Sequence, residues 1–294
     1  MLADCERLHG RVATATIDEA CAVLARDLRA DDTAAAYRST IATQRALLVA
    51  SVATARALRA ARAMPGAVAG HSVGAFAAAV TSDALQFEDA LRLVDLRARA
   101  MEASFPVGYG MAVVNGLTES EVAVIVSRVS TAAAPLYAAN VNGDVQIAIA
   151  GATTSVARAI DIAIAEGARS TRTLDVPVPS HTPLMDDVAH RLAAACSTVT
   201  LRAPNVPIAT NIDGRLTRDP ERLRYDLAAS VARPVRWADA TRALYERGTR
   251  CFIEMLPGHV LCDLAAVAFE DARAAAVQTV GLASAVALVA RSLE

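Results

Sequence analysis

The chemistry of this chain centres on Gly70-His71-Ser72-Val73-Gly74, reached through the short apolar run Ala67-Val68-Ala69 and followed by Ala75-Phe76-Ala77-Ala78-Ala79-Val80. A strand turning sharply into a helix through G-x-S-x-G is a nucleophile elbow, which exposes a serine hydroxyl above an α/β sheet. The glycines are expected to matter because the turn brings the chain close to itself, where a Cβ would obstruct it. Ser72 then stands at a helix start, where unpaired N–H groups and the helix dipole favour developing negative charge. The Val73 amide, next after the serine, is the natural oxyanion donor.

A serine nucleophile needs a base. His9, in the polar start, and His190, mid-helix among charged neighbours, read as surface groups. His71 adjoins the serine but should point away from it on a tight turn. His259 follows a Pro-Gly turn and stays a candidate. His181 is best placed, because Val178-Pro179-Ser180-His181-Thr182-Pro183 is a Pro-bounded turn that fixes a side chain. No Asp or Glu stands in an obvious third position, so a backbone carbonyl is the alternative way to orient the imidazole. Arg97 and Arg99 lie on one helix. Each is either solvated, the better reading for Arg99, or aimed into a cleft as a bidentate partner for a carboxylate. A serine acyl enzyme with such a clamp would take a dicarboxylic acyl group.

The elements that must position these groups read as mixed α/β. Helical periodicity covers residues 1 to about 30, Thr40 to Ala63 (with Gln44 near its opening turn) and Phe87 to Ser104. From Gly110 a β-α-β-β-α-β pattern follows: strands Met111–Asn115, Leu136–Val141, Val145–Ala150 and Arg169–Val176, helices after Thr118 and over Thr154–Glu166, and an Asn142-Gly143-Asp144 hairpin turn. Thr118 and Glu121 have capping-box spacing. Residues 1–109 and 177–294 are thus expected to form an α/β-hydrolase-like large subdomain with a parallel sheet. Residues 110–176 would form a ferredoxin-like small subdomain, with a cleft between the two. Strands are expected near Val206–Thr210 and Cys251–Met255, helices at Met185–Cys196 and Trp237–Gly248, and one Ala/Val-rich helix at the end.

Of the 294 residues 54% are hydrophobic and 20% charged, ample for a core and against disorder. Every basic residue is Arg, with no Lys, and the net charge of −2 offers no basic field for nucleic acid. No apolar run is long enough to span a bilayer and no signal peptide stands at the start, so the chain reads as cytoplasmic. Five scattered cysteines, without a C-x-x-C pair, suggest neither disulfides nor a metal site.

Several motifs together resemble the malonyl-CoA:acyl-carrier-protein transacylase family, in order and separation along nearly the whole chain. They are Thr43-Gln44, Gly70-His71-Ser72-Val73-Gly74, Leu96-Arg97, Asn140-Val141-Asn142 through Ile149-Ala150-Gly151, Val178-Pro179-Ser180-His181, Pro234-Val235-Arg236-Trp237, and Ile253-Glu254 through Pro257-Gly258. The resemblance implies that Ser72 is the nucleophile, His181 its general base and acid, and Arg97 the clamp for the free malonyl carboxylate. It implies that Gln44, His71 and Asn142 line the pocket, and that the Ser230 backbone carbonyl orients His181 in a position usually held by Gln. The implied reaction is ping-pong, without a bound cofactor: malonyl-CoA acylates Ser72, CoA leaves, and a carrier-protein thiol takes the malonyl group.

Ala75, where a glutamate commonly follows the elbow, and Pro106-Val107-Gly108-Tyr109-Gly110-Met111 resemble the transacylase subunit of bacterial malonate decarboxylase. That branch implies a carrier protein with a dephospho-CoA-derived arm and other decarboxylase subunits as partners; the alternative is the fatty-acid-synthesis enzyme. Met1-Leu2-Ala3-Asp4 aligns just after the apolar strand and G-Q-G loop that in the family carry the second oxyanion donor. The expectation is a shortened chain or a weakened, carrier-docking subunit. A serine hydrolase, indifferent to Arg97, is the remaining enzyme reading.

Overall fold

A computed structural model describes residues 1–105 and 107–292. Its first helical stretch is two helices, α1 (Leu2–His9) and α2 (Arg11–Leu24), because Gly10 at φ 52° breaks the run. Helix α3 (Thr40–Ala60) starts where the Ser39 hydroxyl accepts from the Ile41 N–H, and buries Leu48, Val49 and Val52. Strand β1 (Val68–Ala69) leads through the elbow into α4 (Gly74–Thr81), and α5 (Phe87–Ser104) carries Glu88 and Asp89 in its first turn. Next come β2 (Tyr109–Asn115), α6 (Glu119–Val129), β3 (Leu136–Gly143), β4 (Gln146–Ala152), α7 (Thr153–Ala165) and β5 (Ser170–Leu174). After them stand α8 (Asp186–Ser197), β6 (Ile208–Ala209), β7 (Leu216–Thr217), α9 (Pro220–Ala229) and α10 (Trp237–Glu246). The chain continues with β8 (Cys251–Glu254), α11 (Val260–Ala268), β9 (Arg273–Ala276) and α12 (Val277–Arg291).

The parallel pairing runs in two separate ladders. β1 pairs parallel with β6, which carries β7 antiparallel on its other edge, and β8 pairs parallel with β9. Strand β9 overturns the expectation of one long final helix. Its Ala274-Ala275-Ala276 favours a helix by propensity, but hydrogen bonding to Phe252-Ile253-Glu254 overrides that weak local preference.

The β2–β5 segment forms an antiparallel sheet of order β3-β4-β2-β5, the arrangement a split βαβ pattern produces. Helices α6 and α7 cover one face, burying Ala112, Val114, Leu136, Ile147 and Ile149, and Thr118 and Glu121 close a capping box. The hairpin turns at Asp144-Val145, later than expected, so Asn142 and Gly143 belong to β3. This placement matters for the site. The Val141 N–H donates to the Val235 carbonyl (2.8 Å) and the Val235 N–H to the Ala139 carbonyl (2.9 Å), stitching β3 to the segment before α10. Arg236–Glu119 and Arg242–Asp144, both 2.6 Å, cross the same seam, although such partly exposed pairs contribute at most about 1 kcal/mol each.

Candidate active site

The elbow is built on a steric necessity at Gly70. A Cβ there would meet the Gly74 carbonyl carbon and oxygen at 2.1 Å and the Ala75 nitrogen at 2.4 Å. Gly74 differs from expectation: a Cβ there meets nothing within 4 Å, so only the first glycine is required by space. Ser72 sits in the left-handed region at φ 55°, a conformation that costs a non-glycine residue roughly 1–2 kcal/mol. The Val73 N–H, one residue on at the start of α4, donates to no atom among the described residues.

Ser72 Oγ lies 2.7 Å from His181 Nε2, and His181 Nδ1 lies 2.6 Å from the Ser230 carbonyl oxygen. A carbonyl only accepts, so Nδ1 carries the proton and Nε2 is bare, ready to accept from the Ser72 hydroxyl. His181 is itself held at φ 64°, its N–H donating to the Val231 carbonyl at 2.8 Å. Burial, reinforced by the nearby Arg97 charge, lowers the His181 pKa to about 3, so the empty site holds a neutral imidazole.

Arg97 is only 2% exposed. Its Nη2 donates to Ser72 Oγ at 3.2 Å and its Nη1 to Gln44 Oε1, and Gln44 Nε2 donates to Met101 Sδ at 3.4 Å. Among the described residues no carboxylate pairs with Arg97. Desolvation lowers its pKa to about 10, which leaves it charged at neutral pH. Arg99, by contrast, is exposed and pairs with Asp95 at 2.9 Å.

His71 points away from the serine, toward the β3 strand. Its Nε2 lies 3.1 Å from Asn142 Oδ1 and 3.2 Å from Asn140 Nδ2, and Trp237 meets its ring edge-on with centroids 5.5 Å apart. Burial lowers its pKa, against the opposing hydrogen bond to Asn142. Asn140 and Trp237 were not singled out as site residues by sequence, although the Asn-x-Asn alternation already puts 140 and 142 on one face of a strand. Asn140 Oδ1 and Trp237 Nε1 are buried without a partner among the described residues.

The other histidines stand apart. His9 is a correction: it is buried against Thr54 Oγ1 at 3.1 Å rather than at the surface. Helix α1 packs on α3, which turns this ring inward. His190 is exposed, and His259 is exposed and bonded to Asp263. Among the described residues no cluster of His, Cys, Asp or Glu could hold a metal ion, and no helix is long and apolar enough to cross a membrane.

A family model described as the acyl transferase domain matches residues 13–285. The chain belongs to the acyl transferase family. Among its relatives this acyl transferase is 35% identical over 254 residues to the malonyl CoA-acyl carrier protein transacylase of Salmonella typhimurium, covering 85% of this chain and 82% of that one. Its fold superposes on FabD of Acinetobacter baumannii with a TM-score of 0.92 at 30% identity, over 99% of this chain and 94% of that one. A type II PKS acyl-carrier protein solved in complex with its malonyl-transacylase gives 0.90 at 33% identity, over 98% and 94% of the chains. The acyl transferase thus has the α/β core with a small subdomain that the sequence led one to expect.

Proposed function

We propose that this acyl transferase moves a malonyl group from malonyl-CoA to the thiol of an acyl carrier protein, through a malonyl ester on Ser72. The observation that carries the reading is Arg97, a buried guanidinium 3.2 Å from Ser72 Oγ that no carboxylate among the described residues neutralises. A buried charge without a counterion is costly, and a substrate that brings its own carboxylate removes that cost. Malonyl thioesters carry a free carboxylate at that end. The names of the relatives and the carrier-protein complex support the same donor and acceptor.

In the proposed reaction Ser72 Oγ attacks the thioester carbonyl while its proton passes to His181 Nε2, and the carbonyl oxygen takes its developing charge to the Val73 N–H. Collapse breaks the C–S bond, and the CoA sulfur leaves with the proton from His181. In the second half the carrier thiol gives its proton to His181 Nε2 and attacks the ester; Ser72 Oγ leaves and recovers that proton. Ser230 holds the imidazole through its carbonyl, and Gln44, His71 and Asn142 line the acyl pocket. Residues 1–109 and 177–294 act as the large subdomain and 110–176 as the small one, with the thioester taken between them. Burial is the main cause that lowers His181 and the Arg97 charge the second; pairing Arg97 with the malonyl carboxylate removes the second, so the base strengthens once substrate is bound.

Within this activity the malonate decarboxylase role is supported by Ala75 and by the Val107-Gly108-Tyr109-Gly110-Met111 stretch, whose Pro106 lies outside the described residues. The relatives' names give the transacylase activity alone and are equally consistent with the fatty-acid-synthesis reading. Intact mass after brief exposure to malonyl-CoA tests the chemistry: a malonyl adduct on the wild-type chain, absent from Ser72→Ala, is expected. An acetyl adduct forming as fast from acetyl-CoA would overturn the role of Arg97. Discharge onto carriers with a dephospho-CoA-type or a phosphopantetheine arm separates the two roles.

A further inference from the structure

Ser72 is held from behind by a side chain outside the reacting groups. Asn211 Oδ1 accepts from the Ser72 N–H at 2.8 Å, and Asn211 Nδ2 donates to the Gly70 carbonyl at 3.0 Å. One amide thus ties both ends of the Gly70-His71-Ser72 turn. The parallel β1–β6 ladder pairs Val68 with Ile208 and Ala69 with Ala209, then stops as the chain enters the elbow. Beyond that point the Asn211 side chain, with one donor and one acceptor, does for the elbow what a neighbouring strand backbone would do. Asn211 is 3% exposed and is fixed in turn from α9 by Asp226, itself 2% exposed. The Asp226 carboxylate accepts from the Asn211 N–H at 2.9 and 3.0 Å and from the Ile212 N–H at 2.9 Å. Its Oδ2 also lies 3.5 Å from Asn211 Nδ2, which favours the amide orientation that presents Oδ1 to Ser72.

We propose that Asn211 is a positioning residue for the Ser72 nucleophile, and that the buried Asp226 carboxylate sets the orientation of the Asn211 amide. The proposal rests on the reading of Ser72 as the nucleophile. Two consequences follow from the geometry. The left-handed backbone of Ser72 is held at the angle that keeps Oγ 2.7 Å from His181 Nε2. The Ser72 N–H is also consumed, which leaves the Val73 N–H as the elbow amide free to serve as a donor to the thioester oxygen. Asp at 211 would present an acceptor to the Gly70 carbonyl, and an aliphatic residue would leave both elbow groups unpaired.

The test is single-turnover acylation by malonyl-CoA, followed by intact mass, on wild type, Asn211→Ala, Asn211→Ser and Asp226→Asn. Burst amplitude counts the competent sites. A misplaced nucleophile loses about 10–100-fold in the acylation rate constant per competent site, and the malonyl-CoA concentration giving half the maximal rate should hold within about threefold. Asn211→Ser keeps a hydroxyl that serves one elbow group, and its loss should be the smaller of the two. Asp226→Asn turns an NH₂ toward the Asn211 amide and should lower the rate constant about tenfold. A lower burst amplitude with an unchanged rate constant in the Asn211 variants would mean a merely structural role and overturn the proposal. Should Asn211→Ala fail to fold, a wild-type rate constant in both Asn211→Ser and Asp226→Asn overturns it equally. Failure of the Ser72 reading is seen separately, as an adduct that survives Ser72→Ala.

Discussion

Replacing Arg97 by methionine should separate recognition of the acyl group from the chemistry. The side chain is nearly fully buried and makes two hydrogen bonds, to Gln44 and Ser72, with no carboxylate partner among the described residues. With malonyl-CoA bound, Arg97→Met leaves a carboxylate buried without its partner, which costs roughly 3–5 kcal/mol or about 10²–10⁴-fold in acylation rate. Acetyl-CoA has no carboxylate, so its rate should change by no more than about tenfold, the effect of losing one donor to Ser72 Oγ. Stability should move differently. Burial lowers the Arg97 pKa from 12.5 to about 10, which amounts to roughly 3 kcal/mol of lost solvation. The two hydrogen bonds come from a charged donor and return about 1.5–3 kcal/mol each, so at the lower figure they just offset the lost solvation. Thermal unfolding of Arg97→Met is therefore expected close to wild type. Mass-resolved acylation rates with both thioesters provide the assay. Parallel losses with malonyl-CoA and acetyl-CoA, or a melting point several degrees lower, would refute the reasoning.

Three further outcomes are expected. Because His181 is lowered to about 3 in the empty site, kcat/KM for acylation should be flat between about pH 5 and 8; an acid limb near 6.5 that vanishes in no other variant would contradict the buried neutral imidazole. The same depression makes stability pH-dependent. Below about pH 6.5 the unfolded chain binds protons at residues 71 and 181 that the folded chain refuses, so urea midpoints should fall as pH drops from about 7 to 4. His181→Gln should shallow that slope, and an unchanged slope would count against it. Finally, Gly70→Ala should cost more than about 4 kcal/mol through its 2.1 Å clash, whereas Gly74→Ala, at the open start of α4, should be neutral or stabilising by up to about 1 kcal/mol. Equal effects in the two variants would mean the elbow relaxes around the added methyl.

What could be read from the sequence was local or periodic. The elbow, the Thr118–Glu121 capping box and the β-α-β-β-α-β order each depend on spacings within one or two turns or strands. The juxtaposition of Ser72, His181, Arg97 and Ser230 depends on chain distant in sequence, and only the family resemblance brought those residues together in advance. Strand β9 was illegible because alanines favour a helix and its pairing with β8 is non-local. His9 was misread for a related reason: a polar-looking segment became the buried face of α1 once α3 packed on it. Asn211 carried no local sign at all. Its role exists only where β6 ends beside the elbow.

The absence of lysine has a practical consequence for chemistry with thioesters. Amines are the side reaction that obscures acyl transfer to a hydroxyl, and here no side chain offers one. Thiols compete too, but burial pushes Cys5 and Cys196 up to about 11 and Cys262 up to about 12, and raises Cys251 as well. Those sulfurs stay protonated, and so unreactive, at neutral pH. Cys21, a half-buried free thiol, is the fifth cysteine, so a Cys21→Ser variant brings the protein close to a single-target substrate for its own reagent. Stoichiometry of label, ordinarily blurred by background modification, becomes a direct count of turnover at one oxygen.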